Sequence, residues 1–113
     1  MRFYKSAALT ANQVTANLVS GISEIEWIRR PSRLRALGSE SLTTGGALVK
    51  LVIGGRLVLD DVALGGANRS PVFPDDILGE WGAPAGAQVL LIVRESLGGT
   101  PTYFIQLDVD AVA

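Results

Sequence analysis

Residues 103–113 read YFIQLDVDAVA, and this run decides the fold class. Ile105, Leu107, Val109 and Ala111 fall on one side of an extended chain. Phe104, Gln106, Asp108 and Asp110 fall on the other. Period two with one apolar and one polar side is the pattern of a half-buried strand. A core-facing helix would repeat its apolar residues every three and four positions instead. The chain should therefore end on a strand that covers a core with one face.

The same period recurs upstream. RLRALGSE (33–40) alternates, with Leu34 and Ala36 opposite Arg33 and Arg35. SEIEWIRR (23–30) alternates as well, which places Ile25 and Trp27 on one side of a strand. ALVKLVI (47–53) and AQVLLIVRE (87–95) are richer in apolar residues and read as strands buried on both faces, or nearly so. Four Gly-Gly pairs, at 45–46, 54–55, 65–66 and 98–99, punctuate these runs. VIGGRLVLDDV (52–62) predicts two strands joined by a Gly54-Gly55 turn. RESLGGTPTYF (94–104) reads as a second hairpin with a longer loop. LTANQVTA (9–16) reads as a strand or a single helical turn, with the strand preferred. Residues 65–86 form the one long irregular stretch, with a short helical turn expected at PDDILGEW (74–81).

Seven to nine short strands with under about a fifth of the residues in helix are the pattern of an antiparallel sandwich or barrel. The expectation is one all-β domain over 1–113, a β-sandwich, with residues 1–20 as an N-terminal arm or first strand. Its predicted core comprises Ile25, Trp27, Leu34, Leu51, Ile53, Leu57, Leu59, Leu91, Val93, Ile105, Leu107 and Val109.

Composition narrows the chemistry. The 113 residues include no cysteine and no histidine, so disulfides, thiol nucleophiles and histidine general bases are all excluded. Ten basic and eleven acidic residues leave a formal net charge of −1, so no overall field recruits nucleic acid. No apolar run approaches the ~20 residues that cross a bilayer. The start, MRFYKSAALTANQV, is too broken by polar residues to read as a signal peptide. No phosphate-binding glycine loop occurs. Asp60-Asp61, Asp75-Asp76 and Asp108-x-Asp110 lack the spacing of a calcium loop; Asp60-Asp61 reads as a polar strand end, Asp108 and Asp110 as the wet face of the last strand, and Asp75-Asp76 as the start of the short turn. No enzyme, cofactor or metal site is expected.

Four of the eight arginines lie within IRRPSRLR (28–35). Pro31 and the two-residue alternation split Arg29, Arg30, Arg33 and Arg35 between faces. A groove tracking phosphates needs several cations on one side, with aromatics interleaved. Nucleic acid is therefore disfavoured. A contact in which these arginines meet a neighbour's Asp60-Asp61 and Asp75-Asp76 fits better. Phe73, Ile77, Leu78 and Trp81 complete the expected subunit interface. They come from a loop costly to leave in water, so part of it should dock on its own sheet or on a neighbour.

The order of features over residues 20–113 resembles small jelly-roll proteins of virus particles, the coat and cement (decoration) proteins of bacteriophages. A Pro/Gly-rich loop, SPVFPDDILGEWGAPAGAQ (70–88), runs into a buried strand, VLLIVRES (89–96). A glycine turn and the last alternating strand, TYFIQLDVDAV (102–112), follow. The resemblance implies a jelly-roll-like sandwich and a structural subunit of a capsid. It also implies partners that are further copies of itself and other capsid proteins, and location in the virion. An apolar fraction of 48% with 19% charged residues suits a subunit partly buried in an assembly. The competing expectation is a ligand-binding sandwich such as a carbohydrate-binding module. That would want a coplanar row of exposed aromatics, and the chain has seven aromatics without an evident row.

Overall fold

A computed structural model describes residues 1–41 and 46–112. Seven strands form two antiparallel sheets: β1 (Arg2–Ala8), β2 (Ser32–Glu40), β3 (Ala47–Ile53), β4 (Arg56–Ala63), β5 (Ile77–Ala83), β6 (Val89–Glu95) and β7 (Thr102–Ala111). One sheet has the order β1-β7-β2-β5 and the other β4-β3-β6. Gly45, half of one glycine pair, lies outside the described residues.

Residues 12–19 run along the free edge of β6 without forming a regular strand. Val14 bridges Arg94 in the antiparallel sense. Thr15 N and Leu18 N donate to Val93 O and Leu91 O at 2.9 and 2.8 Å. Thr15 Oγ1 and Asn17 Oδ1 accept from Val93 N and Leu91 N, replacing ladder bonds that the backbone leaves unmade. Counting this segment, the second sheet is (12–19)-β6-β3-β4. The chain then changes sheet at every connection except the β3–β4 hairpin. That is the strand order of an eight-stranded jelly roll.

The core lies between the sheets. Leu34, Ala36, Ile105, Leu107 and Val109 meet Val49, Leu51, Ile53, Val89, Leu91 and Val93, all buried. Ten of the twelve predicted core residues are buried. Gly54 and Gly55 turn the β3–β4 hairpin with φ of 59° and 79°, a pair of left-handed positions that glycine fills without strain.

Several expectations are corrected, beginning with the strand expected over residues 9–16, which forms only the isolated bridge at Val14. Ser23–Glu26 is one helical turn, α1, and not part of a strand. Ile22, Ile25 and Ile28 recur every third residue, and the last two are buried. Trp27 falls outside that period and is 50% exposed. Leu57 is 49% exposed because β4 carries two bulges. Pairing passes from Val49↔Val62 to Leu51↔Leu59 and then to Val52↔Leu57, so β4 inserts one extra residue at each shift. The second insertion turns Leu57 to the outer side. β3 and β6 fully bury one face only, with Leu48, Lys50, Val52, Leu90 and Ile92 partly exposed on the other. The 96–101 connection is no hairpin, since β6 and β7 belong to different sheets. Finally, residues 77–83 form β5 where a helical turn was expected. A turn at 73–76 precedes it, closed by Asp76 N donating to Val72 O at 2.8 Å.

Candidate interaction surfaces

The outer face of the four-stranded sheet carries the arginines. Arg33 and Arg35 alternate outward on β2, next to Asp110 and Asp108 of β7 and to Gly82 and Glu80 of β5. Arg35 is held from two directions. Its Nη2 lies 3.1 Å from Glu80 Oε1, and its guanidinium stands 4.3 Å from the centroid of the Phe73 ring. Arg2 Nε donates to Asp108 Oδ1 at 2.9 Å, and Gln106 Nε2 donates to the same carboxylate. Arg29, Arg30 and Arg33 are exposed and form no ion pair among the described residues.

The 65–76 loop lies over the far end of this face. Gly38 N donates to Asp76 O and Glu40 N to Gly65 O. Ser39 Oγ donates to Arg69 O, and Tyr4 Oη and Ser70 Oγ share a hydrogen bond of 3.0 Å. Leu37 and Ser39 alternate outward and are nevertheless buried, because the loop covers them. Arg69 pairs with Asp76 at 3.3 Å and with Asp75 at 3.8 Å, so this acidic pair is engaged within its own loop.

The expected interface residues therefore divide. Phe73 stays 54% exposed above Arg35, and Ile77, four residues on at the start of β5, is exposed as well. Leu78 and Trp81 turn inward at the β5 edge and pack against the core. Trp81 needs Gly79 to do so: a Cβ at position 79 would overlap its ring. Docking of the loop on its own sheet thus occurs through 65–76 and through β5.

The outer face of the three-stranded sheet is of another kind. Val52 of β3 is flanked by Leu90 of β6 and Leu57 of β4. Ile92 flanks Lys50, and Leu48 lies beside Arg94. Val14, 62% exposed, borders Arg94 on the outer side. Trp27 bridges Gln88, the residue before β6, and shares its outward orientation. The charges sit within this apolar field. The first β4 bulge sets Asp60 and Asp61 together opposite Lys50, with Asp61 at a φ of 52° that aspartate tolerates better than most residues. Arg94 Nε and Nη2 each donate to an Asp61 carboxylate oxygen at 3.2 Å. These bonds hold the Asp61 carboxyl below its ordinary pKa, with further help from Lys50, and hold Arg94 above its own. Lys50 and Asp60 form no ion pair among the described residues.

Two glutamates that carried no expectation lie at one end of the sandwich. Glu95, buried at the end of β6, accepts from the backbone amides of Asn12, Leu97 and Gly98 at 2.7–2.9 Å. Those amides, that of Asn12 first, hold its carboxyl below the ordinary value. The signal in the sequence was a glutamate followed directly by a glycine loop, ESLGG, whose free amides can close on it. Glu40 ends β2 fully buried, and its Oε2 accepts from Ala47 N at 2.7 Å. Among the described residues no cluster of three or more acidic side chains is placed to hold a metal, and no pocket is present. No described helix is long and apolar enough to cross a membrane. Comparison of the chain with protein-family models, with curated proteins and with solved structures found no match in any of the three.

Proposed function

We propose that this chain is a structural subunit of a virus particle, a small coat or cement protein that assembles with copies of itself and with other capsid proteins. The observation that carries the reading is the strand order. With residues 12–19 as the eighth strand, β1-β7-β2-β5 faces (12–19)-β6-β3-β4, the jelly-roll arrangement common in capsid subunits and also used by lectins and cupins. The outward residues add to it. A sandwich working alone in water tends to turn polar side chains outward, whereas one outer face here carries a field of apolar side chains around four charged ones. The exposed Arg29, Arg30 and Arg33, with Phe73 and Ile77, offer a second, polar contact for a neighbour's carboxylates. A sugar-binding role is less well served. The exposed aromatics Tyr4 and Phe73 belong to the four-stranded side and Trp27 to the other, so they make no common row.

Density-gradient separation of particles from free protein, followed by immunodetection of this chain, tests the proposal. The chain should migrate with intact particles and remain there after a high-salt wash. Its presence in the free fraction alone would overturn the reading. Within a particle, Arg33→Ala should weaken incorporation while the isolated subunit keeps its thermal midpoint.

A further inference from the structure

We propose that the outer face of the three-stranded sheet is a two-fold contact between copies of this chain, with Lys50 of each copy seated on the Asp60–Asp61 bulge of the other. The inference stands on this face alone and does not require the assembly to be a virus particle.

The sandwich's edges steer assembly away from strand addition. β1 carries Lys5 opposite inward-facing Ile105, so an exposed charge points along the core side of that edge. The 12–19 segment is irregular, and β4 is bulged twice. At β5, Arg56 Nη2 already donates to Gly82 O at 3.2 Å. Inward charges, bulges and occupied carbonyls are the devices that keep sheet edges from pairing. Association is left to the faces.

The outer face of the three-stranded sheet invites it by its apolar area. Leu48, Val52, Leu57, Leu90 and Ile92 spread apolar area across β3, β4 and β6. The occupant is identified by charge and register. Two cations, Lys50 and Arg94, and two carboxylates, Asp60 and Asp61, share the middle of the field, so the face is balanced and can meet itself. Arg94 and Asp61 are already paired, whereas Lys50 and Asp60 are the members left over. A two-fold axis parallel to the strands, passing between β3 and β4, exchanges those two strands between copies. Lys50 lies directly across from the bulge, and Val52 directly across from Leu57. The same operation therefore sets each Lys50 over the other copy's bulge and each Val52 over the other's Leu57. In an isologous contact every pairing occurs twice in this way.

The contact is small. Two overlapping seven-residue strands at ~4.8 Å spacing and ~3.4 Å rise present roughly 230 Å² of each face. That falls well under the ~1,200 Å² total of a stable complex, so a free pair should form only near millimolar concentration. In an assembly with several contacts per subunit it would gain by multivalency.

Amide NMR spectra of the full chain, recorded from roughly 0.05 to 2 mM, read the contact directly. Shifts should move with concentration at Lys50, Val52, Leu57, Asp60 and Asp61, and sedimentation should show mass rising toward a dimer. Leu57→Asp alters an exposed position and should remove the concentration dependence, with circular dichroism confirming the fold. Lys50→Glu and Asp60→Lys should each weaken self-association by about tenfold. An equimolar mixture of those two variants should associate again, because each copy then supplies the charge the other lacks. Spectra independent of concentration, shifts confined to another surface, or variants that do not complement each other on mixing would overturn the proposal.

Discussion

The two sheets share a core and differ in what they turn outward. The four-stranded sheet shows water a set of side chains that are largely paired within the chain: Arg2 with Asp108, Arg35 with Glu80 and Phe73, Tyr4 with Ser70. Where apolar Leu37 alternates outward on that sheet, the 65–76 loop covers it. The three-stranded sheet has no such cover. Leu48, Val52, Leu57, Leu90 and Ile92 face outward around one ion pair. Local alternation is thus followed in both sheets, but among the described residues only the three-stranded sheet leaves its outward apolar side chains without a covering loop.

The sharpest way to break this comparison is to delete side chains on each side of each sheet. Leu91 of the small sheet and Leu107 of the large one are both fully buried. Leu91→Ala and Leu107→Ala should each cost about 2–5 kcal/mol in denaturant unfolding, since both leave a cavity between the sheets. Leu57→Ala, measured in dilute solution, should cost under about 1 kcal/mol because half of that side chain is already in water. A Leu57 loss as large as that at Leu91 would mean that β4 is not bulged at Val58.

A smaller effect concerns the carboxylates of the small sheet. Glu95 and Asp61 have carboxyls held below their ordinary pKa, the first by backbone amides and the second by Arg94. A depressed folded-state pKa means that the unfolded chain takes up protons first as pH falls. The stabilisation is therefore complete above the ordinary carboxylate range. It is lost as pH drops through that range toward the lower folded-state values. Glu95→Gln should lower the thermal midpoint at neutral pH and flatten its fall on acidification, and Asp61→Asn should do the same more weakly. An unchanged acid limb in both variants would show that these carboxylates do not report the folded state.

The sequence made the sheets legible where alternation was unbroken. β7, β2 and the Gly54-Gly55 hairpin follow from period two and from glycine alone. What stayed hidden depended on distant partners. β5 is masked by Gly79 and Gly82, and Gly79 has its reason only once Trp81 folds across it. Period two in EIEWI points Trp27 inward, whereas Ile22, Ile25 and Ile28 follow a period of three. Alternation alone points Leu57 inward, because a bulge leaves no mark in a run of apolar residues. Nothing near residues 96–101 says which sheet the next strand will join. For the candidate surfaces, residue type was readable and pairing was not. Glu80 lies 45 positions from Arg35, and only the β2–β5 register brings them side by side.

The smallest expected effect lies on the large sheet, at that pair. Arg35 and Glu80 are each about a third exposed, so solvent screens their attraction. An exposed ion pair contributes about 0.2–1 kcal/mol, and a cation over an aromatic ring at such a site about 0.5–1 kcal/mol. Glu80→Ala removes the first contact and leaves Phe73 in place. Phe73→Ala does the reverse, and Arg35→Ala removes both. If the contacts act independently, Arg35→Ala should cost close to the sum of the other two in low salt. In high salt the Glu80 part should shrink, while the Phe73 part, which includes burial of the arginine's alkyl stem, should persist. A double-mutant cycle between positions 35 and 80, run at both salt concentrations, measures the difference. A coupling as large in high salt as in low would mean that the Arg35–Glu80 bond is screened by protein rather than by water. The polar face would then be more tightly closed than its exposure implies.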